Sequence, residues 1–93
     1  MPTIEDIIIK KPDARLIEQC RKWPIWTSGI SRFEWEYTQT EKCLILEGKV
    51  TIYDIDNPDS FVSFGAGDFV QFPDELKCIW NVTEPVKKHY EFD

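Results

Sequence analysis

The side chains able to do chemistry are few, and their spacing excludes more than it grants. The 93 residues contain one histidine, His89, so no register of the chain can bring more than one imidazole to a metal. By strand parity His89 shares a face with Lys87 and Glu91, which is expected to meet water, while Val86, Lys88, Tyr90 and Phe92 share the other. Three cysteines, Cys20, Cys43 and Cys78, make an odd count without a C-x-x-C pair. That argues against a disulfide framework and predicts a reducing, intracellular setting. Gly65-Ala66-Gly67 is followed by neither a lysine nor a helix and reads as a turn, not a phosphate cradle. The richest pattern is aromatic. Phe33, Trp35 and Tyr37 alternate with Glu34 and Glu36, so one face of a strand carries three rings and the other carries carboxylates.

The elements that must position these side chains are short and mostly extended. Thr3 to Ile9 is β-branched and predicts a first strand. Pro12 to Cys20 is the one convincing helix, opened by Pro12-Asp13 and striped by Leu16, Ile17 and Cys20. Pro24 makes Trp23-Pro24-Ile25-Trp26 extended, and these two tryptophans are expected to plug or flank the core. Strands are then predicted at Cys43–Leu46, Val50–Ile55, Phe61–Phe64, Asp68–Phe72, Cys78–Val82 and Val86–Phe92. Turn chemistry separates them at Glu47-Gly48, Asp56-Asn57-Pro58-Asp59, Gly65-Ala66-Gly67 and Pro73-Asp74. Short strands at about ten-residue spacing predict an antiparallel sandwich or barrel.

Length allows one domain, residues 1–93, with no second core. So small a chain needs a dense interior, and 42% hydrophobic and 14% aromatic residues can fill one. Acids outnumber bases 17 to 11, giving a net charge of −6, and the pair Lys87-Lys88 lies between Glu84 and Glu91. No basic stripe forms, so nucleic acid is not an expected partner. No run approaches the length of an apolar membrane span. The first residues, Met1 to Asp6, lack a secretory signal's basic and apolar regions, while a removed transit peptide stays open.

Wording along the chain resembles the cupins. Their first motif reads G-x5-H-x-H-x3-E-x6-G, and Gly29, Glu41 and Gly48 fall at its spacing; Gly67 and Pro73 fit the second, G-x5-P-x-G-x2-H-x3-N. From Trp23 to Phe92 the chain resembles short cupins grouped with (S)-ureidoglycine aminohydrolases: Trp23-Pro24-Ile25-Trp26, Phe33-Glu34-Trp35-Glu36-Tyr37, Glu41-Lys42-Cys43, Leu46-Glu47-Gly48, Phe72-Pro73, Trp80 and Lys88-His89-Tyr90. The resemblance implies a small antiparallel β-barrel or jelly roll. It also implies an altered pocket. The two histidine positions of the first motif hold Trp35 and Tyr37; in the second, the histidine, glycine and asparagine positions hold Cys78, Glu75 and Val82. Only Glu41 keeps a usual cupin ligand, so no manganese, iron or nickel centre is expected.

On that resemblance Glu41 points into the barrel mouth, where Trp35, Tyr37 and Trp80 line the wall. There it suits a general acid or base, or a buried acceptor satisfied by the Tyr37 hydroxyl or the Trp80 indole. Lys88 would pair with Glu41 or an anionic ligand, or snorkel outward. Glu41, Cys43 and Cys78 could hold a soft ion such as zinc. The alternative is that the thiols are buried fillers, and burial beside a carboxylate raises the Cys78 pKa and makes it a poor nucleophile. Three functions stay open, in this order: a metal-poor module binding a small polar molecule through Trp35, Tyr37, Glu41, Cys43, Cys78, Trp80 and Lys88; an aminohydrolase-like enzyme with Glu41 as acid/base; and a dimerising barrel without a small-molecule site. A homodimer is expected from the family and from the apolar Ile7-Ile8-Ile9 edge.

Overall fold

The computed structural model describes all residues, 1–93. In chain order they form β1 (Ile8–Lys10), α1 (Ala14–Cys20), β2 (Ile25–Ser28), β3 (Ser31–Glu36), β4 (Glu41–Asp54), β5 (Phe61–Gly65), β6 (Phe69–Phe72) and β7 (Lys77–Phe92). Every strand pair is antiparallel. This is the predicted all-β barrel with one short N-terminal helix.

Two long strands organise it. The first residues of β4 pair with β6 on one side and with the end of β7 on the other, as Leu44 does with Phe69 and His89. β1 extends this sheet beyond β6, and β2 extends it beyond β7. The second half of β4 pairs instead with β5, and the first half of β7 with β3. The two strands thus carry the chain from one sheet into a second that faces it. The corner falls at Gly48, where φ is +98° and an added Cβ would lie 2.3 Å from the Pro85 carbonyl oxygen. Only glycine fits.

Sequence punctuation misleads at this corner. Glu47-Gly48 predicts a break, as does the gap between Val82 and Val86, yet each strand runs through. Register shifts between Ile45 and Val50 absorb the bend while Glu47 stays opposite Lys87 and Lys49 opposite Glu84. Glycine here bends a paired strand instead of reversing it. The predicted first strand is also shorter. Residues Ile4–Asp6 form a 3₁₀ turn, and only Ile8–Lys10 is strand. A reciprocal cap outweighs β-propensity: Thr3 Oγ1 accepts from the Glu5 amide at 3.2 Å and Asp6 accepts from the Thr3 amide at 2.9 Å.

Inside, fifteen residues form one apolar cluster that includes Tyr37, Cys43, Phe72, Cys78 and Trp80. A second, small cluster lies outside the barrel, where Leu16, Ile17 and Trp23 pack on Cys20, Leu44 and Phe69. Asp13 starts α1 by accepting from the Leu16 amide at 2.9 Å. His89 is the correction this packing demands. It pairs with Leu44 and points outward as parity predicts, but it is buried, with Nδ1 2.9 Å from the Trp23 carbonyl oxygen. Parity assigns a face; it does not reveal that Trp23 and its neighbours cover that face. No helix is long and apolar enough to cross a membrane.

Candidate functional site

Between the two sheets a cavity of about 240 Å³ opens to solvent, lined by Trp26, Phe33, Trp35, Tyr37, Glu41, Trp80, Lys88, Tyr90 and Phe92. Strand alternation explains the lining. Phe33 and Trp35 are inward positions of β3, with Tyr37 just past its end; Lys88, Tyr90 and Phe92 are inward positions of β7. Trp26 on β2 lies opposite Lys88, and Glu41 opens β4 opposite Phe92. Tyr37 is held from both sides, its amide donating to the Leu76 carbonyl at 2.8 Å and its carbonyl accepting from the Glu75 amide at 2.9 Å.

Seven of the nine lining residues are apolar or aromatic, and the two that are not form an ion pair. Lys88 Nζ donates to Glu41 Oε2 at 2.7 Å, with the side chains only 6% and 5% exposed. The ammonium also lies 4.6 Å from the centre of the Trp80 ring and 4.9 Å from that of Trp26. One carboxylate oxygen and two π faces therefore surround it. No protein group donates to the other oxygen, Glu41 Oε1. Since no fully buried side-chain polar atom lacks a partner, Oε1 must remain open to the cavity.

The two donors foreseen for a buried Glu41 instead bond to one another. Trp80 Nε1 donates to Tyr37 Oη at 3.1 Å. Burial, with the Glu41 carboxylate adding to it, pushes the Tyr37 phenol well above its ordinary pKa, so it keeps its proton at neutral pH. No protein acceptor takes that proton. The cavity thus presents an acceptor at Glu41 among rings, and Tyr37, which also lines it, is only 2% exposed.

Of the seven candidate ligand residues, Trp35, Tyr37, Glu41, Trp80 and Lys88 line the cavity. Cys43 and Cys78 do not, and here the expectation is corrected. Both are wholly buried in the apolar cluster, and Cys43 donates weakly to the Val70 carbonyl at 3.6 Å. Burial is the main cause that pushes each thiol up to about 12, with Asp54 and Glu41 adding at Cys78, while at Cys43 Lys88 pulls down and Glu41 pushes up. They are protonated fillers behind the wall, not nucleophiles. Phe33, Trp26, Tyr90 and Phe92 line the cavity beyond the residues expected there, and the parity that places Trp35 and Lys88 also places Phe33, Tyr90 and Phe92.

The residues do not fit a cupin metal. No three His, Cys, Asp or Glu side chains gather at any point, and Glu41, Cys43 and Cys78 form no such group. The cation that Glu41 faces is the Lys88 ammonium.

A model of the EutQ-like cupin domain matches residues 18–90. Among solved structures, a DUF861-family protein from Thermotoga maritima is 40% identical, with a TM-score of 0.88 over 95% of this chain and all of that one. The EutQ protein of Clostridium difficile is 15% identical, with a TM-score of 0.65 over 96% of this chain and 70% of its own. A DUF861-family protein from Pseudomonas syringae pv. tomato is 21% identical, with a TM-score of 0.64 over 74% of this chain and 29% of its own. The last two likenesses speak for the fold alone. No curated protein matches the chain. A domain match over most of the sequence and a full-length relative of the same architecture agree: the chain belongs to the EutQ-like cupin family.

Proposed function

We propose that this cupin binds a small polar molecule in the aromatic cavity and does so without a metal. The observation that carries the reading is the Glu41–Lys88 pair. Removing two charges from water costs several kcal/mol for each ion, and apolar residues of similar volume are often as stable or more so. A buried pair on a cavity wall, with one carboxylate oxygen left for a visitor, has a better rationale in binding than in stability. The rings supply stacking surfaces at low entropic cost.

Catalysis is the second reading, drawn from the resemblance to ureidoglycine aminohydrolases and favoured by one observation: Glu41 touches both the cavity and a proton-bearing Lys88. Glu41 would then act as acid/base. The replaced histidines weigh against carrying over the family's metal-dependent chemistry.

As a partner we propose a second copy of the chain. β1 hydrogen-bonds only to β6, and its Ile8 and Ile9 are exposed. An open strand edge bearing such residues invites pairing.

The test is a thermal-shift screen of small planar molecules, with elemental analysis of the same preparation. Compounds that raise the melting temperature of metal-free protein, and lose their effect in Trp35→Ala, are the expected result. Trp35 is half exposed, so its removal should spare the fold. A preparation carrying near one equivalent of metal, or stabilisation indifferent to Trp35, would overturn the reading.

A further inference from the structure

We infer that the cavity selects uncharged aromatic amides and lactams, planar molecules whose N–H and C=O lie side by side, over anions and cations of the same shape. The inference rests on the binding role proposed above and specifies its ligand. Three observations on the wall carry it.

The first is charge balance. Lys88 and Glu41 neutralise each other at 2.7 Å, and the ammonium is further enclosed by the Trp80 and Trp26 rings. An anion would have to displace the carboxylate from Lys88 while facing the free Oε1 and the negative faces of the rings. A cation could reach Oε1 only beside the ammonium. Either ion would also shed its water without a counter-charge of its own, an uncompensated desolvation. A neutral molecule meets none of these penalties.

The second is the polar complement. Glu41 Oε1 lacks a protein donor. Tyr37, which lines the cavity and is 2% exposed, accepts from Trp80 Nε1 and has a hydroxyl proton without a protein acceptor, which an entering carbonyl would have to reach. An amide edge supplies the N–H for one and the C=O for the other. A carboxylate offers no donor, and an amidinium offers no acceptor.

The third is the shape of the wall. Phe33 and Trp80 are parallel within 10°, with centroids 6.0 Å apart, and Trp35 stands nearly perpendicular to Phe33 at 6.5 Å. Trp35 and Phe92 are each nearly half exposed although they line the cavity, so their apolar surface remains to be covered by an entering ring.

The experiment is calorimetric titration of the full chain with benzamide, benzoate and benzamidinium, which share a shape and differ in charge. Benzamide should bind at least about tenfold more tightly than either ion, the worth of one hydrogen bond to a charged group. Benzoate binding best would make Lys88 the anchor and overturn the inference, and benzamidinium binding best would overturn it equally. Failure of all three, while the planar-molecule screen yields Trp35-dependent hits, would sink the amide preference and leave the binding role standing; failure of both would sink both. Glu41→Leu combined with Lys88→Met keeps the volume, removes the acceptor and strands no charge. That variant should remain folded by circular dichroism and lose at least about tenfold in benzamide affinity. Unchanged affinity in the folded double variant would also overturn the inference.

Discussion

Lys88 and His89 are neighbours in the chain, both buried and both polar, yet they belong to different regions. Lys88 points inward to a cavity open to solvent, where its partner Glu41 keeps an oxygen free. His89 points outward and is largely covered, with the Trp23 carbonyl against its Nδ1. Burial of a polar group therefore does not mark a site in this protein. What separates the two regions is where the unspent hydrogen-bonding capacity lies: Glu41 Oε1 has it on the wall of an aromatic cavity, whereas His89, whose Nδ1 meets Trp23, lines no cavity.

The contrast breaks most sharply when one charge is removed from the inner region. Lys88→Met or Glu41→Gln alone leaves a buried group without its partner and is expected to destabilise the fold by about 3–5 kcal/mol. The joint change to Leu and Met should fall near wild type or above it. Urea unfolding of the three variants measures this, and a double variant as weak as either single one would show the pair to be structural glue.

In the core behind the cavity the expected effect is a pH dependence. Cys43 and Cys78 have pKa values raised from 9.0 to about 12 in the fold, so both remain neutral when the unfolded chain begins to ionise. The folded state is then favoured fully below about pH 9 and loses that advantage as pH climbs toward 12. Melting temperatures should fall over that interval, and less steeply in Cys43→Ala. Parallel curves for wild type and variant would contradict the assignment. Over the same range a thiol reagent should label neither cysteine without unfolding.

In the outer region, His89→Ala should cost about 1–3 kcal/mol through a lost hydrogen bond and lost packing. It should leave ligand affinity unchanged, because His89 has no contact with the cavity. A change in affinity would join the two regions that the structure separates.

The smallest effect concerns Glu75, exposed and held at φ +69°, where the cupin motif carries glycine. Glu75→Gly relieves left-handed strain but loosens the unfolded chain, for a net gain of about 1 kcal/mol or less. A loss of stability would mean that the carboxylate has a role in the loop holding Tyr37.

These regions were unequally legible in the sequence. Alternation alone assigns Trp35, Tyr37 and Lys88 to inward faces, and motif spacing singles out Glu41, because both depend on local periodicity that the barrel preserves. The choice between an anionic ligand and Glu41 as the partner of Lys88 depends on a register between residues 47 positions apart. That register is set by the bulged corner at Gly48, which reads locally as a turn. The cover over His89 likewise depends on where the segment before β2 returns across the sheet, and nothing near His89 encodes it. Cys43 and Cys78 lie deeper than the resemblance implies, in the core behind the wall, since a motif position does not fix the depth of a side chain.

The central claim is that the aromatic cavity is the binding site, and the four tryptophans offer an internal control. Trp26, Trp35 and Trp80 line the cavity, whereas Trp23 lies on the far side of the sheet against α1. In a nitrogen–proton correlation spectrum each indole N–H gives its own signal. Titration with benzamide should move the signals of Trp26, Trp35 and Trp80 in concert and leave Trp23 still. Movement of Trp23 alone, or of none of the three cavity indoles with benzamide and with every stabilising compound of the planar-molecule screen, would contradict the account.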